Sequence, residues 1–337
     1  MKEMREIIHS LPDQFLEMVE YFKVKGHSND IEKYIKAQKF NKILICGMGG
    51  SGISGDIIAV LYPELEVIVN KDYQIPQYID KKTLAILVSY SGNTEETLSN
   101  YRQLTKNNIP IVVVSSNGEL LKKKAWLKIQ IPKGLPPRGA LGYLFTPILF
   151  TLYKSGFIKK NPEQILIKTA LFLRKQAKIL ERQGKVLARI TSGKLPIIYA
   201  DSNAFGVVAR RWQCQLNENS KILCHTNIIP EMNHNEIVGL GRPARLNKDM
   251  IVFFLNDAGA FSRNKLRIRI IKEIVNNEVR GLKTIDIKPR GRNLLEQMFW
   301  TIMLGDFLSL YLALDYGIDP MPVKRIDYLK QKLSVIR

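Results

Sequence analysis

Short apolar runs alternate with helical patterns along most of the chain. In the first half these runs are rich in β-branched residues, nearly continuous, and bounded by polar turns. Such runs, separated by helices, predict a parallel sheet that is covered by helices on both faces. We predict strands here at 42–46, 66–69, 83–88, 109–114 and 127–131.

The second half repeats this layout. Further strands are predicted at 195–200, 250–255 and 282–287, and helical spacing predicts helices at 14–22, 162–190, 294–314 and 323–333. We therefore expect an N-terminal helix and a first α/β domain, then linking helices, then a second α/β domain with C-terminal helices. The expected boundaries of these three parts are 1–155, 156–190 and 191–337.

Length and charge narrow the class of protein. The chain has 337 residues, of which 45% are hydrophobic, which is enough for two buried cores. Its formal net charge of +20 suits anionic metabolites or polyanions. The basic residues are scattered, however, with only short runs such as Lys122–Lys124. This is typical of a solvated surface, and we expect no nucleic-acid partner.

The cysteines and the apolar stretches bear on metals and on location. None of Cys46, Cys214 and Cys224 forms a CxxC pair, and the spacing of the last two fits structural zinc motifs poorly. We expect buried, reduced thiols in a cytoplasmic protein, and no metal. The apolar stretch 302–314 is broken by Asp306 and is too short to cross a bilayer. With no recognisable signal peptide, we expect no membrane partner.

A glycine-rich turn follows the first predicted strand. It begins at Gly47, reads GMGGSGISGD and leads into a helical pattern. Glycines let backbone amides approach a ligand closely, and the start of a helix offers unpaired N–H groups and a positive dipole end. Gly49 and Gly50, with the hydroxyl of Ser51, therefore predict an anion site, most simply for phosphate.

The same turn permits a dinucleotide interpretation. Gly47, Gly49 and Gly52 satisfy the GxGxxG spacing of dinucleotide-binding folds, which also place an acid about 20 residues further on. The second predicted strand ends without an acid, although Asp72 lies just beyond it. This weakens the ribose contact without eliminating NAD or NADP as a ligand.

A hydroxyl-rich turn after the third predicted strand favours phosphate instead. It reads SYSGNTEET and again connects a strand to a helix. Ser89, Ser91 and Thr94 can each donate a hydrogen bond to a phosphate oxygen. In an open parallel sheet such strand ends line the ligand crevice. Ordinary helix capping would account for Thr94 or Asn93, but not for the two serines before them.

These two turns resemble the two signatures of the sugar-isomerase (SIS) domain. In that family, hydroxyls that match Ser51, Ser89, Ser91 and Thr94 hold the phosphate group of a sugar phosphate. The resemblance implies two SIS domains, each a flavodoxin-like, parallel five-stranded sheet flanked by helices. It leaves the dinucleotide interpretation a minor one.

Two polar strings in the second half supply groups for aldose–ketose isomerisation. That reaction needs a base that moves a proton between C1 and C2, a group that stabilises the enediolate, and an acid/base that opens the sugar ring. Glu218 lies in the string LNENS at the end of a predicted helix, and His234 lies in PEMNHNE. Glu231 and Glu236 are alternative bases that spacing does not exclude. We interpret His225 as structural.

Over its whole length the chain resembles the bifunctional phosphoglucose/phosphomannose isomerases. The resemblance rests on both SIS signatures, on the strings around Glu218 and His234, and on segments at 11–14, 136–143 and 317–323. It implies an enzyme that interconverts glucose 6-phosphate and mannose 6-phosphate with fructose 6-phosphate. The implied route passes through an enediolate and uses no cofactor.

The same resemblance implies roles for individual residues. Glu218 is the base that transfers the proton, Arg138 stabilises the enediolate, and His234 opens the ring. In the family this histidine reaches the site from the partner subunit, which implies a homodimer. A lysine of the terminal helix, which we assign to Lys330, also approaches the sugar. One departure is Met321, where relatives often carry threonine, and it bears on the mannose activity.

Two other functions fit part of the pattern. A non-catalytic SIS-domain sensor would bind the same sugar phosphates, but it would not need Glu218, His234 and Arg138 together. The isomerase half of glucosamine-6-phosphate synthase uses similar residues. That half, however, follows an amidotransferase domain with an N-terminal cysteine, and here a lysine follows Met1.

Overall fold

The chain divides into two compact units in the computed structural model, which describes residues 3–24 and 40–335. Of these, the first unit contains 7–24, 40–177 and 290–299, and the second contains 3–6, 178–289 and 300–335. Each unit is built around one parallel sheet.

The sheet of the first unit has five parallel strands. They are β1 (Lys42–Cys46), β2 (Val67–Asn70), β3 (Thr83–Val88), β4 (Ile111–Ser115) and β5 (Leu127–Gln130). Their order is β2-β1-β3-β4-β5, which is the flavodoxin-like order and not that of a dinucleotide-binding Rossmann sheet. Every residue of β3 and β4 is buried, which explains their continuous apolar sequence. The fold predicted for the first half is confirmed.

Helices precede and flank this sheet. In chain order they are α1 (Met4–His9), α2 (Leu11–Val24), α3 (Gly49–Leu61), α4 (Glu95–Lys106), α5 (Glu119–Lys122), α6 (Leu141–Lys154) and α7 (Glu163–Thr191). The predicted amphipathic helix is α2, and its apolar face is buried. Phe15 of α2 packs edge-to-face on Phe299, with ring centroids 4.9 Å apart, and Phe145 of α6 lies 5.3 Å from the same ring.

The sheet of the second unit has four parallel strands among the described residues. They are β6 (Leu195–Ala200), β7 (His225–Ile228), β8 (Met250–Leu255) and β9 (Lys283–Ile287), in the order β7-β6-β8-β9. The five strands implied for this unit are therefore corrected to four, because the chain passes from β9 almost directly into a long helix. β7 was not predicted. It is a short, polar edge strand with no buried residue, so it lacks the apolar signal.

The helices of the second half are α8 (Asn203–Gln215), α9 (Ser262–Glu278), α10 (Leu294–Asp315) and α11 (Lys324–Val335). By length and composition, α10 is apolar enough to cross a membrane. However, 83% of its most apolar window is buried inside the protein, as in a core helix. In contrast, α11 has no buried residue.

Candidate functional site

The predicted glycine turn lies between β1 and α3. A Cβ on Gly47 would stand only 2.8 Å from the carbonyl oxygen of Val88, at the end of the neighbouring strand β3. Gly49 has a positive φ of 51°, a backbone conformation that residues with a side chain rarely adopt. Glycine at these positions therefore lets the backbone at the start of α3 lie directly against the end of β3.

The hydroxyl turn lies at the end of β3, beside the glycine turn. Ser89 is buried, and its Oγ lies 2.9 Å from Oγ1 of Thr94 and accepts the N–H of Gly92 at 3.1 Å. Thr94 stands at the N-cap position of α4, but its side chain does not cap the helix. The Oγ of Ser91 accepts the N–H of Asn93 at 3.3 Å. Helix capping therefore does not account for the hydroxyl of Thr94.

Three hydroxyl hydrogens remain available to a ligand at these turns. Ser89 and Thr94 share one hydrogen between their oxygens, so the second hydrogen of the pair is free. The hydroxyl of Ser91 acts only as an acceptor, and the hydroxyl of Ser51 makes no hydrogen bond to another described residue. Because α3 and α4 both begin at the carboxyl ends of adjacent parallel strands, their first N–H groups lie at the same edge. The structure thus brings together the predicted phosphate-binding residues.

Arg138 lies close to the glycine turn within the first unit. It sits in a short 3₁₀ turn before α6 and is buried, with 3% of its surface exposed. A Cβ on Gly50 would lie 3.6 Å from the Cα of Arg138. Gln14 holds the chain that follows, because its Nε2 donates to the carbonyl of Gly139 at 2.7 Å and its Oε1 accepts the N–H of Gly142 at 2.9 Å.

Glu218 lies in a π-helical turn, Leu216–Ser220, that continues α8 in the second unit. Such turns are rare and frequently occur at functional sites. The turn ends at Lys221, whose φ of 60° is left-handed and whose Nζ donates to the carbonyl of Glu218 at 2.5 Å and to that of Pro320 at 3.2 Å. The Glu218 side chain is half-buried.

A cleft of about 640 Å³ opens beside Glu218 in the second unit. Its wall carries three cations, Lys221, Lys324 and Arg325, and also includes Asp319. The wall does not include Met321, Lys330 or His234. The residues that line it are Asn217, Glu218, Lys221, Ile222, Leu223, Ile318, Asp319, Pro322, Val323, Lys324, Arg325 and Ile326. The structure therefore gives Glu218 a cationic cleft but does not join it to Lys330, which lies on the exposed helix α11.

His234 lies on an exposed segment that is anchored by its neighbour Glu236. The imidazole makes no hydrogen bond to another described residue. Glu236 accepts hydrogen bonds from the hydroxyl of Tyr199 at 2.5 Å and from Nδ2 of Asn227 at 2.6 Å, and Nε2 of His225 lies 3.0 Å away. Burial raises the pKa of Glu236, but these three contacts outweigh burial and hold the pKa below its ordinary value.

The two alternative bases, Glu231 and Glu236, differ in the hydrogen bonds that their carboxylates already make. Glu236 uses its carboxylate to fasten the segment to β6 and β7, which makes it a poor acceptor for a substrate proton. Glu231 is exposed and accepts a hydrogen bond from Nδ2 of Asn235 at 2.8 Å. The assignment of the base to Glu218 stays a prediction.

The carboxyl edge of the second sheet carries acids. Asp201 follows β6 and is fully buried, and its Oδ1 accepts the N–H of Asp257, which follows β8, at 2.7 Å. Its other oxygen has no hydrogen-bond partner among the described residues. Burial, with the nearby Asp257 carboxylate, raises the pKa of Asp201 to about 6. Ser202 caps α8 by accepting the N–H of Phe205 at 3.1 Å.

Metal ligands and thiols add no further candidate centre. No group of three or more His, Cys, Asp or Glu side chains that could hold a metal occurs in residues 3–24 and 40–335. None of the three cysteines is joined in a disulfide bond. Burial raises the pKa of the Cys46 thiol, and burial with the nearby Cys214 raises that of Cys224 to about 12, so neither thiol is a ready nucleophile.

Sequence reasoning missed the residues that support the site. Gln14 is a fully buried polar residue in the apolar face of α2, and Tyr199 is a fully buried phenol in β6. Asp306 and Ser309 are buried polar residues in the apolar helix α10. A polar side chain at an otherwise apolar buried position was the available signal, but sequence does not say which partner it meets.

Comparison with known families gives two matches. Residues 36–152 match the SIS domain, and residues 180–333 match the family described as "Bacterial phospho-glucose isomerase C-terminal SIS domain". The two matches fall on the two halves of the chain in which sequence patterning predicted separate sheets.

Individual relatives span nearly the whole chain. The chain is 40% identical over 346 residues to the bifunctional phosphoglucose/phosphomannose isomerase of Caldicellulosiruptor bescii, covering 99% of this chain and 100% of that protein. It is 34% identical to the protein of the same name from Aquifex aeolicus, covering 96% and 99%. Its fold is similar to the solved C-terminal domain of glucosamine-fructose-6-phosphate aminotransferase from Francisella tularensis, with a TM-score of 0.71, 16% identity, and coverage of 95% and 98%.

Proposed function

Because the chain belongs to the family of bifunctional phosphoglucose/phosphomannose isomerases, we propose that it interconverts glucose 6-phosphate and mannose 6-phosphate with fructose 6-phosphate. It is an aldose–ketose isomerase. The observation that carries this function is the 40% identity, over the full length of both chains, to a relative of that name. The glycine and hydroxyl turns of the first unit supply donors for the phosphate group, and Glu218 in the second unit supplies a carboxylate beside a cleft.

The phosphate group binds at the carboxyl edge of the first sheet. Ser51, Ser91 and the Ser89–Thr94 pair donate hydroxyl hydrogens, and the first N–H groups of α3 and α4 add backbone donors. A dianion gains from both helix dipoles at this edge. This anchor orients the sugar without taking part in the chemistry.

Proton transfer is assigned to Glu218. Its carboxylate removes the proton from C2 of the aldose and returns it to C1, while the hydroxyl proton of O2 moves to O1, and the two transfers together give the ketose. Glucose 6-phosphate and mannose 6-phosphate differ only at C2, so removal of that proton produces one planar enediolate from both. The buried guanidinium of Arg138 stabilises the negative charge that develops on this intermediate. No net redox change occurs, and the mechanism needs no nicotinamide or metal.

Ring opening is assigned to His234 of the partner subunit in a homodimer. This assignment is supported by the exposed imidazole and by the rigid anchoring of its segment through Glu236. The exposed terminal helix α11 gives Lys330 freedom to approach the sugar once the subunits meet. Cysteines that form no disulfide accord with a reducing compartment, so we place the enzyme in the cytoplasm.

The Glu218→Gln variant tests the proton-transfer base. It keeps the shape of the side chain but removes the base, so we expect kcat to fall by about 10²–10⁴ for both aldoses in a coupled assay of fructose 6-phosphate formation. Fructose 6-phosphate incubated in D₂O should gain deuterium at C1 with the wild type and almost none with the variant.

Glu278→Gln is the matched control, since it makes the same substitution at an exposed position at the end of α9. It should exchange at the wild-type rate. If Glu218→Gln also exchanges at that rate while Glu231→Gln does not, the base is Glu231. If the wild type forms no fructose 6-phosphate from either aldose yet binds both, the chain is a sugar-phosphate sensor.

A further inference from the structure

Within the second unit, α8 and the π-helical turn that follows it meet α10 along a seam of buried polar side chains. At one end, Nη2 of Arg211 lies 3.2 Å from Oδ2 of Asp306, and Nε2 of Gln215 donates to Oδ1 of Asp306 at 2.8 Å. The backbones are also close here, because a Cβ on Gly305 would stand 2.2 Å from Nε1 of Trp212. The axial position of α8 against α10 is therefore set by specific contacts.

The other end of this polar seam lies next to Glu218. Nδ2 of Asn219 donates to the hydroxyl of Ser309 at 3.0 Å, and the hydroxyl of Ser220 donates to the carbonyl of Ser309 at 2.6 Å. The Ser309 hydroxyl in turn donates to the carbonyl of Asp306 at 2.8 Å. One residue of α10 thus holds both residues that follow Glu218.

The cost of burying these groups indicates that the seam is specific. Asn219, Ser220 and Ser309 are completely buried, and α10 is otherwise one of the most apolar segments of the chain. A buried hydroxyl or amide without a partner destabilises a protein, so the contacts of Asn219, Ser220 and Ser309 favour the observed register of α8 against α10.

A π-helical turn needs such external support. The i→i+5 hydrogen bonding of a π-helix is rare in proteins. Here the N–H of Lys221 donates to the carbonyl of Leu216 and closes the turn. Glu218 lies between Gln215, which Asp306 holds, and Asn219, which Ser309 holds. The backbone on both sides of the carboxylate is therefore fixed to α10.

We propose that Ser309 is a positioning residue for Glu218, with its hydroxyl acting through Asn219. The inference rests on the proposed function, in which Glu218 transfers the proton. A base that is displaced by about 1 Å loses about 10²-fold in rate, because the reacting atoms no longer align. Ser309 has no role in binding the sugar phosphate, so its removal should lower kcat and leave KM almost unchanged.

The test compares Ser309→Ala with Thr191→Val. Thr191 is also completely buried in the second unit, but its hydroxyl bonds only to its own helix, at the carbonyl of Leu187. Ser309→Ala should lower kcat by about 10- to 100-fold, with KM within about twofold of the wild type. Thr191→Val should keep both constants. Ser309→Thr retains the hydroxyl and should recover most of the lost kcat.

A second readout separates positioning from a general loss of structure. With glucose 6-phosphate deuterated at C2, a well-placed carboxylate returns part of the deuterium to C1 of the same molecule. Ser309→Ala should lower that transferred fraction and release more label to solvent, because reprotonation by a loosened carboxylate is slower. Wild-type kcat in Ser309→Ala, an equal loss in Thr191→Val, or an unchanged transferred fraction would each overturn the proposal. If Glu218→Gln loses deuterium exchange while any of these results is obtained, the role of Ser309 is wrong and the proposed function still stands.

Discussion

At the carboxyl edge of the first sheet, β1 and β3 end in glycines and hydroxyls, whereas the equivalent strands of the second sheet, β6 and β8, end in acids. The equivalence follows from strand order, since β2-β1-β3-β4 matches β7-β6-β8-β9. In the first unit the ends carry Ser51 and Ser89. In the second they carry Asp201 and Asp257, where the Asp201 carboxylate accepts the backbone N–H of Asp257.

This difference decides where each unit can hold substrate. The first edge offers unpaired donors and two helix dipoles to a phosphate dianion. The second edge presents a buried carboxyl group. When ionised, this group repels an anion, and when neutral it still occupies a backbone N–H group that an anion would need. One topology therefore places hydroxyl and N–H donors at this edge in one unit and carboxyl groups at the equivalent place in the other. The groups to which we assign the chemistry of the second unit lie elsewhere, Glu218 beyond α8 and His234 beyond β7.

Removing the hydroxyls from the first edge should have the largest effect. The Ser89–Thr94 pair has one free hydroxyl hydrogen, and a lost hydrogen bond to a charged phosphate is worth about 1.5–3 kcal/mol, so we expect Ser89→Ala combined with Thr94→Ala to raise KM by about 10- to 150-fold. Inhibition by inorganic phosphate should weaken in parallel. The control is Thr97→Val, since the Thr97 hydroxyl is buried on α4 without a hydrogen-bond partner. Unchanged KM in the double variant would remove the phosphate from this edge.

Weakening the hydrogen bonds of Glu236 that hold the His234 segment in place should have an intermediate effect on activity. Glu236→Gln weakens the contacts to Tyr199, Asn227 and His225, and we expect kcat for the cyclic aldoses to fall by about 10-fold. An acyclic analogue that cannot cyclise should still exchange at the wild-type rate, because ring opening alone is impaired.

Two further results would sharpen this expectation. Tyr199→Phe removes one contact of the anchor and should give a smaller change of the same kind. The lowered pKa of Glu236 means that the anchor stabilises the fold above pH 4.5, the ordinary value, and loses that contribution as the pH falls through the lowered pKa. Slower exchange of the acyclic analogue by Glu236→Gln would assign Glu236 to proton transfer instead.

Neutralising the second edge should have the smallest effect on activity and a measurable one on stability. The pKa of Asp201 is raised from 3.8 to about 6, so its contribution to stability is present below pH 3.8 and is lost as the pH rises through 6. Asp201→Asn keeps an acceptor for the N–H of Asp257 and should stabilise the protein by about 1–3 kcal/mol at pH 7.5, but not at pH 3.5.

Urea unfolding at the two pH values checks this, with Asp249→Asn as an exposed control that should show no gain. The isomerase activity of Asp201→Asn should equal that of the wild type. A large loss of activity would mean that the second edge takes part in the reaction and that the contrast between the two edges is wrong.

Much of the fold follows from local sequence pattern. The predicted strands β3, β6 and β8 have the observed bounds, and β1 does as well, because parallel strands buried on both faces read as continuous apolar runs. The predicted fifth strand of the second unit was wrong because it came from the family resemblance and not from any apolar run. The edge strand β7 was missed because it has no buried face.

The residues proposed to bind phosphate could be grouped from the sequence because most of them are close together in the chain, and their role stays a prediction. Ser89, Ser91 and Thr94 fall within one turn, and the sheet order then places them beside Ser51. In contrast, spacing could not separate Glu218 from Glu231 and Glu236. Burial and hydrogen bonding do bear on that choice, since Glu236 is committed to Tyr199 and Asn227.

The sequence by itself determined the parallel strands, the position of the glycine-rich and hydroxyl-rich turns and the family of the chain, because each depends on neighbouring residues or on residue identity alone. Only the tertiary structure decided the four-stranded second sheet, the acidic second edge and the polar seam beneath Glu218. Asn219 and Ser309 are 90 positions apart, and Tyr199 and Glu236 are 37 apart. Such pairings arise when packing brings distant polar groups out of water and into contact, and no local pattern encodes the partner.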